Sequence, residues 1–152
     1  MAGYRRIISV VDPALGGASQ SIARAVTLAS AFDAQFAVLG AADHPPAGDH
    51  SLKAKASLIA AATARVERLA AKAGARSAEI MAAPRDLVAL AALALAWHPD
   101  LVVIAADALP DLRGALEAAR GAGGNCAFDV LSVETGRPGL GQRIVSAMAG
   151  LL

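Results

Sequence analysis

Three aspartates stand where this sequence could carry chemistry, because each follows a compact and mostly apolar run. Asp12 follows IISVV, Asp43 follows FAVLGAA, and Asp107 follows LVVIAA. A carboxylate such as that of Asp12 could hold a ribose hydroxyl. The alternative for Asp12 is a turn acid that accepts hydrogen bonds from nearby backbone amides. These acids are the first candidates for a ligand site, with the structural alternative left open.

A second group of polar residues crowds the segment that follows the second apolar run. The group combines imidazole and carboxylate side chains, which suit several divalent metal ions. Its members are Asp43, His44, Asp49 and His50. However, the segment also contains two prolines and a glycine, which are typical of a solvated loop. Nothing in the spacing fixes a coordination geometry. We therefore expect no metal site here.

The remaining candidates for chemistry each have a simpler structural interpretation. Gly16 and Gly17 precede a predicted helix and could approach an anion, but no P-loop lysine follows them. His98 lacks an evident nucleophile or orienting acid. Cys126 has no basic neighbours, which favours a buried thiol over a redox thiol. The glycines of 121–124 resemble a phosphate cradle, but they follow a helix and are typical of a helix stop. With no GxSxG, HExxH or CxxC pair in the sequence, we expect no catalytic residues, no cofactor and no enzymatic activity.

Strands and helices alternate strictly along the predicted elements. Apolar and β-branched runs predict strands over 6–12, 36–42, 77–82, 101–106 and 128–133. Capping residues and apolar spacing predict helices from Ser19 or Ser21 to 34, from Ser51 to 73, from Pro84 and Asp86 to 97, and from Pro110 to 120. This alternation predicts an α/β fold with a parallel sheet and helices on both faces. Ligands of such folds bind at the carboxyl ends of the strands, where Asp12, Asp43 and Asp107 stand.

Composition and charge exclude several classes of protein. The 152 residues suit one domain, and the formal net charge is only +1. Lys and Arg are scattered, and aromatic residues make up 3% of the chain, so we expect no nucleic-acid binding. The most apolar segment, Leu87–Trp97, is too short to span a membrane. A single cysteine allows no internal disulfide and fits a reducing cytoplasm.

Two segments carry more apolar surface than an isolated domain needs. Leu87–Trp97 contains no polar side chain except the indole N–H of Trp97, so a predicted helix there should be covered by another subunit or by the C-terminal segment. Residues 139–152 place Ile144, Val145, Met148, Leu151 and Leu152 on one side of a predicted short helix. That helix is expected to clasp a dimer, to cover a ligand cleft, or to remain a disordered terminus.

Several segments together resemble the universal stress protein family. The first strand, terminal acid and first helix of that family are similar to RRIISVVDPALGGASQSIARAVTLA. Its third helix and fourth strand are similar to APRDLVALAALALAWHPDLVVIA. The start of its last strand is similar to NCAFDVLSV. The resemblance implies a five-stranded parallel sheet of order 3-2-1-4-5, adenine-nucleotide alpha-hydrolase-like, and a homodimer. The resemblance covers about residues 4–134. We expect residues 1–134 to form one domain and residues 135–152 to form a linker and a short amphipathic helix.

The sequence departs from this family after the fourth strand. ATP-binding members carry a glycine loop there, whereas this chain has Ala105-Ala106-Asp107-Ala108-Leu109-Pro110-Asp111. Without glycines, and with two acids, this segment is poorly suited to hold phosphates. The resemblance then implies a ligand site at Asp12, Pro13, Ala41, Ala105 and Asp107. It also implies a stress-related or regulatory protein that does not bind ATP and acts through a protein partner or a small ligand. The alternatives are a nucleotide-binding member with an altered loop and an enzyme on the same fold.

Overall fold

A five-stranded parallel sheet forms the centre of the molecule. The structure, a computed structural model, describes residues 3–75, 77–105, 111–123 and 127–133. The strands are β1 (Arg6–Val11), β2 (Gln35–Ala42), β3 (Glu79–Pro84), β4 (Leu101–Ala105) and β5 (Asp129–Val133). They lie in the order β3-β2-β1-β4-β5, and every neighbouring pair is parallel. The predicted fold class and strand order are confirmed.

Among the described residues, four helices cover the two faces of this sheet. They are α1 (Ala18–Phe32), α2 (Leu52–Lys72), α3 (Leu87–Ala96) and α4 (Leu112–Gly123). Alternate residues of β1 point to opposite faces, as the period of a strand requires. Ile8 and Val10 pack in the core beneath α3 and α4, whereas Val11 packs with residues of α1 and α2. Both faces of this central strand are therefore buried, which explains why its sequence is apolar apart from Arg6 at its start and the buried Ser9.

The amino terminus of α1 differs from the prediction. Neither Ser19 nor Ser21 caps the helix: the N-cap is Gly17, with φ of 92° and no side-chain cap. That left-handed conformation strains residues with a Cβ and favours glycine. Ser21 instead lies inside the helix with its side chain buried. The glycine pair thus forms the turn that leads from β1 into α1.

The third strand also differs from the prediction, because it is shifted toward the carboxyl terminus. It runs from Glu79 to Pro84 rather than over 77–82, and Pro84 pairs with Ala42 of β2. Pro84 was expected to open α3. A proline is tolerated here because β3 is an edge strand, so the missing N–H is not needed by a second neighbour. As a result Arg85 stands at the end of a strand instead of inside a helix.

The other helix ends follow their local sequence. Ser51 Oγ accepts a hydrogen bond of 3.1 Å from the amide of Ala54 at the start of α2, and Gly74, with φ of 88°, ends that helix as predicted. The Asp86 carboxylate caps α3 through the Val88 amide. The fourth helix is an exception, because it continues to Gly123, three residues beyond its predicted end, and Gly121, expected to stop the helix, lies inside it.

None of the helices in the described part of the chain combines the length and the apolar character that a membrane span requires.

Candidate functional site

The Asp12 carboxylate lies at the carboxyl edge of the sheet, directly after β1. Its residue is only 2% exposed. Oδ1 accepts a hydrogen bond of 3.0 Å from the Ala14 amide, and the Asp12 carbonyl accepts one of 3.1 Å from the Leu15 amide. The expected turn role of Asp12 is therefore present. It leaves the rest of the carboxylate available for a second interaction.

That second interaction comes from Arg85, the residue immediately after β3. Arg85 Nε donates to Asp12 Oδ2 at 2.6 Å, and Nη2 donates to Oδ1 at 2.8 Å. This is the paired geometry in which a guanidinium binds a carboxylate most strongly. Because β2 lies between β1 and β3, the arginine side chain spans the end of β2 to reach Asp12.

Asp43 completes the arrangement from the end of β2. Arg85 Nη1 donates to Asp43 Oδ1 at 2.9 Å, and the Asp43 side chain is 54% exposed. We call Asp12, Arg85 and Asp43 the acid–arginine cluster. One guanidinium thus bridges a buried carboxylate and an exposed one, and the ends of three neighbouring strands supply the three residues.

The electrostatics of the cluster favour its charged form. Burial by itself raises the pKa of Asp12, but the hydrogen bonds from Arg85 and from the Ala14 amide outweigh it, and the pKa of Asp12 is lowered below its ordinary 3.8. The hydrogen bond to Asp12 is the main reason that the pKa of Arg85 is raised. Asp12 is therefore ionised and paired at neutral pH.

The backbone beside Asp12 is held by a second arginine. Arg65 of α2 donates from Nη2 to the Pro13 carbonyl at 2.9 Å. Pro13, one of the predicted ligand residues, is half-buried. The turn after β1 is thus fixed both by Arg85 and by Arg65, so the position of the Asp12 carboxylate is well determined.

Two of the other predicted ligand residues, Ala41 and Ala105, are too buried in this structure to contact a ligand with their side chains. Ala41 lies in β2 and Ala105 ends β4, on the two sides of β1, and each is only 1% exposed. Their methyl groups belong to the packed interior at the carboxyl edge. Asp107 lies outside the described residues, as does the rest of 106–110. The ligand role of all five residues stays a prediction.

Sequence reasoning missed Arg85, because the predicted helix began at Pro84 and absorbed it. The available signal was a basic residue between an apolar strand and the Asp86 cap, combined with the strand order. In the order 3-2-1 the ends of these strands are neighbours, so a base after strand three faces the acids after strands one and two.

The loop that contains Asp43, His44, Asp49 and His50 has a structural role where it leads into α2. Asp49 Oδ1 accepts a hydrogen bond of 3.1 Å from the Ser51 amide, and hydrogen bonds from Ser51 lower the pKa of Asp49. Asp49 therefore shapes the turn into α2. In residues 3–75, 77–105, 111–123 and 127–133, no three His, Cys, Asp or Glu side chains converge as a metal site requires.

His98 lies at the opposite, amino-terminal edge of the sheet, between α3 and β4. It adopts φ of 58°, and its amide bonds to the Leu95 carbonyl at 3.0 Å. It ends α3 in a left-handed conformation, far from the acid–arginine cluster. Cys126 and Gly124 lie outside the described residues.

Two open clefts of about 550 and 570 Å³ also lie at the amino-terminal edge. The first is lined by residues that include Gln35, Glu79 and Trp97. The second is lined by residues that include Tyr4, Asp100 and Phe128. Neither contains a residue of the acid–arginine cluster. In parallel α/β folds ligands bind at the carboxyl ends of strands, so the chemistry of the cluster weighs more than the size of these clefts.

Comparisons with known proteins find likeness in structure alone. No family model matches the sequence, and no curated protein matches it. A universal stress protein solved in complex with cAMP superposes with a TM-score of 0.60 and 21% identity, covering 89% of this chain and 100% of that chain. A universal stress protein from Archaeoglobus fulgidus superposes with a TM-score of 0.57 and 14% identity, covering 87% of this chain and 95% of that chain. With its five parallel strands in the order 3-2-1-4-5, this chain has the fold of the universal stress proteins.

Proposed function

We propose that this chain is a universal stress protein-like regulatory protein of the cytoplasm that forms a homodimer and does not bind ATP. It would act in a stress response through a protein partner or a small ligand. The single observation that carries the exclusion of ATP is the pairing of Arg85 with Asp12. The resemblance implies that Asp12 belongs to the ligand site, where its carboxylate could hold a ribose hydroxyl, and here that carboxylate already has a partner of opposite charge.

The pairing of Asp12 makes nucleoside binding costly. Oδ1 accepts from both the Ala14 amide and Arg85, and Oδ2 accepts from Arg85. A ribose hydroxyl would have to displace a charge-assisted hydrogen bond and replace it with a weaker neutral one. Since Asp12 is 2% exposed, it cannot recover the lost interaction from water. Arg85 therefore competes with a ligand for the same oxygens.

The segment after β4 supports the same proposal from the sequence. Asp107 and Asp111 place negative charge where the ATP-binding members hold phosphates, and Pro110 removes one backbone donor. A triphosphate would meet repulsion at this position instead of a cradle of amides.

The alternative is a nucleotide-binding protein with an altered phosphate loop. The specific observation in its favour is that a structural neighbour was solved in complex with cAMP. A cyclic monophosphate carries less charge than ATP and needs fewer phosphate contacts. The two proposals differ in whether wild-type protein binds any adenine nucleotide.

Calorimetry and thermal unfolding with ATP, AMP and cAMP decide between these proposals. A ligand that binds only the native state raises the melting temperature. We expect no heat of binding and no shift for the wild type with ATP. Micromolar ATP affinity that disappears in Asp12→Asn would overturn the proposal. Binding of cAMP alone, again lost in Asp12→Asn, would favour the alternative.

The variant Arg85→Ala tests the role assigned to Arg85. If Arg85 is what occupies Asp12, AMP or cAMP should stabilise Arg85→Ala more than it stabilises the wild type. Asp43→Ala is the matched control, because it removes a partner of Arg85 without freeing Asp12. Equal ligand shifts in all three proteins would show that Arg85 does not compete with a nucleoside.

A further inference from the structure

The outward face of α3 is apolar along its whole length. Val88 is 73% exposed, and Ala92 and Ala96, one and two turns later, are also exposed. We call these three residues the α3 face. The opposite side of the helix is buried, with Leu90, Ala91, Ala94 and Leu95 in the core. The helix therefore has apolar residues both where it meets the sheet and where it meets solvent.

The other helices show what an outward face normally looks like in this molecule. The exposed positions of α1 include Gln20, Arg24 and Thr27, and those of α2 include Glu67 and Arg68. The outward face of a surface helix is usually polar because it is hydrated. The α3 face departs from this pattern in the described part of the chain, which indicates that it is a contact surface.

The chain itself continues from a position that can reach this face. The last residue of β5, Val133, is at the carboxyl edge of the sheet, and Val88 in the first turn of α3 is at the same edge. Helix α3 packs over β1, β2 and β3. With strands about 4.8 Å apart, the end of β5 is roughly 15 Å across the sheet from the strands beneath α3. The outward side of α3 is further from the sheet by about the thickness of a helix, ~10 Å. The ten residues 134–143, which precede Ile144, can span about 33 Å when extended and are long enough for this path.

The sequence that follows this linker carries a complementary surface. Ile144, Val145, Met148, Leu151 and Leu152 repeat at helical spacing and include no charge. Residues 134–152 lie outside the described residues. The small side chains of Ala92 and Ala96 would let a second helix approach α3 closely, with the larger side chains of the C-terminal segment packing around them.

We infer that the C-terminal segment 140–152 of the same chain packs its apolar stripe against the α3 face. The occupant is this segment and not a second copy, because the stripe begins within reach of Val88 and lies on the same polypeptide. The intramolecular arrangement therefore has the advantage of a high effective concentration. This inference is independent of nucleotide binding.

Disulfide trapping in the full-length chain tests this inference. In a Cys126→Ser background, Ala92→Cys is combined with Met148→Cys, and oxidation is followed by non-reducing electrophoresis and intact mass. We expect an intramolecular disulfide at high dilution. The matched control combines Met148→Cys with Arg68→Cys, on the outward side of α2 across the sheet, and should give none.

The other outcomes overturn the inference. A disulfide that forms only between chains would show that a second copy covers the α3 face. Absence of any disulfide at position 92, or equal yields at 92 and 68, would show that the segment does not pack there. Hydrogen exchange gives an independent measurement: Ala92→Glu in the full-length chain should cause a loss of amide protection in 140–152, and unchanged protection there would contradict the inference.

Discussion

Arg85 binds Asp12 through two parallel hydrogen bonds, from Nε to Oδ2 at 2.6 Å and from Nη2 to Oδ1 at 2.8 Å. The two residues are 73 positions apart in the sequence. Asp12 is 2% exposed in this pair, whereas the Arg85 side chain is 30% exposed. Loss of the ion pair would therefore affect the two residues differently. Without its partner, Asp12 would remain as a buried charge, whereas Arg85 is already partly exposed to water.

This asymmetry predicts different effects for the two arms of the acid–arginine cluster. Arg85→Ala should destabilise the protein by about 2–4 kcal/mol, since it leaves the buried Asp12 charge unpaired. Asp43→Ala should cost about 0–1 kcal/mol, because Asp43 is exposed and water replaces its contact. Urea unfolding of both variants measures the difference. Equal losses would contradict the burial of Asp12 as the cause.

The lowered pKa of Asp12 predicts a loss of stability in acid. The unfolded chain, with an ordinary pKa of 3.8, takes up the proton before the folded chain does. The contribution of Asp12 is therefore fully present above about pH 5 and declines as the pH falls through 3.8 toward the lower folded pKa. Urea midpoints between neutral and acidic pH should show the wild type losing its advantage over Asp12→Asn. A gap between the two proteins that stays constant across this range would refute the assignment.

Close packing between β2 and α2 predicts that Gly40 tolerates no side chain. A Cβ at Gly40 would lie 2.3 Å from Val66 Cγ2, and Val66 is fully buried. Gly40→Ala should therefore destabilise the protein by about 1–3 kcal/mol. The loss should shrink when Gly40→Ala is made in a Val66→Ala background, as a double-mutant cycle measures.

Gly114 in α4 provides the control for that experiment. A Cβ there meets nothing within 4 Å. Gly114→Ala should be neutral or stabilising by up to about 1 kcal/mol, because alanine is the better helix former. A comparable loss at both glycines would mean that backbone conformation, and not contact with Val66, controls Gly40.

The buried hydroxyl of Ser21 predicts a stabilising substitution. Ser21 Oγ has no hydrogen-bond partner among the described residues, and the side chain is fully buried inside α1. Ser21→Ala removes an unsatisfied polar atom and improves helix propensity, so thermal and urea unfolding should show a gain of about 1 kcal/mol. The exposed Ser19→Ala is the comparison and should change stability less. A loss of stability in Ser21→Ala would show that the hydroxyl has a partner.

Much of the fold follows from patterns local in the sequence. The run that becomes β4 is continuously apolar, and the run that becomes β1 is apolar apart from Arg6 and Ser9, because both faces of a central parallel strand are buried. Ser51 and Gly74 mark the ends of α2 through capping chemistry that involves only neighbouring residues. The strict alternation of strands and helices then leaves few ways to arrange the sheet, and the resemblance supplies the order.

The predicted boundaries of β3 and of the helices α1 and α3 are wrong where a residue has two local interpretations. Pro84 suits the first turn of a helix and also suits the end of an edge strand. Its pairing with Ala42 depends on the position of β3 at the edge of the sheet, which is a property of the assembled fold. Gly17 rather than Ser19 or Ser21 begins α1 because the chain must turn sharply after Asp12, and only the packing of α1 on β1 fixes that turn.

The sequence by itself determined which residues would form the sheet and that acids would stand at its carboxyl edge. Only the tertiary structure decided what those acids do. Asp12, Asp43 and Arg85 are distant along the chain, and the strand order β3-β2-β1 brings their strand ends together. An ion pair depends on distances of a few ångströms between side chains, and local propensity contains no information about such distances. The ion pair that occupies the Asp12 carboxylate is therefore a consequence of the strand order in the sheet.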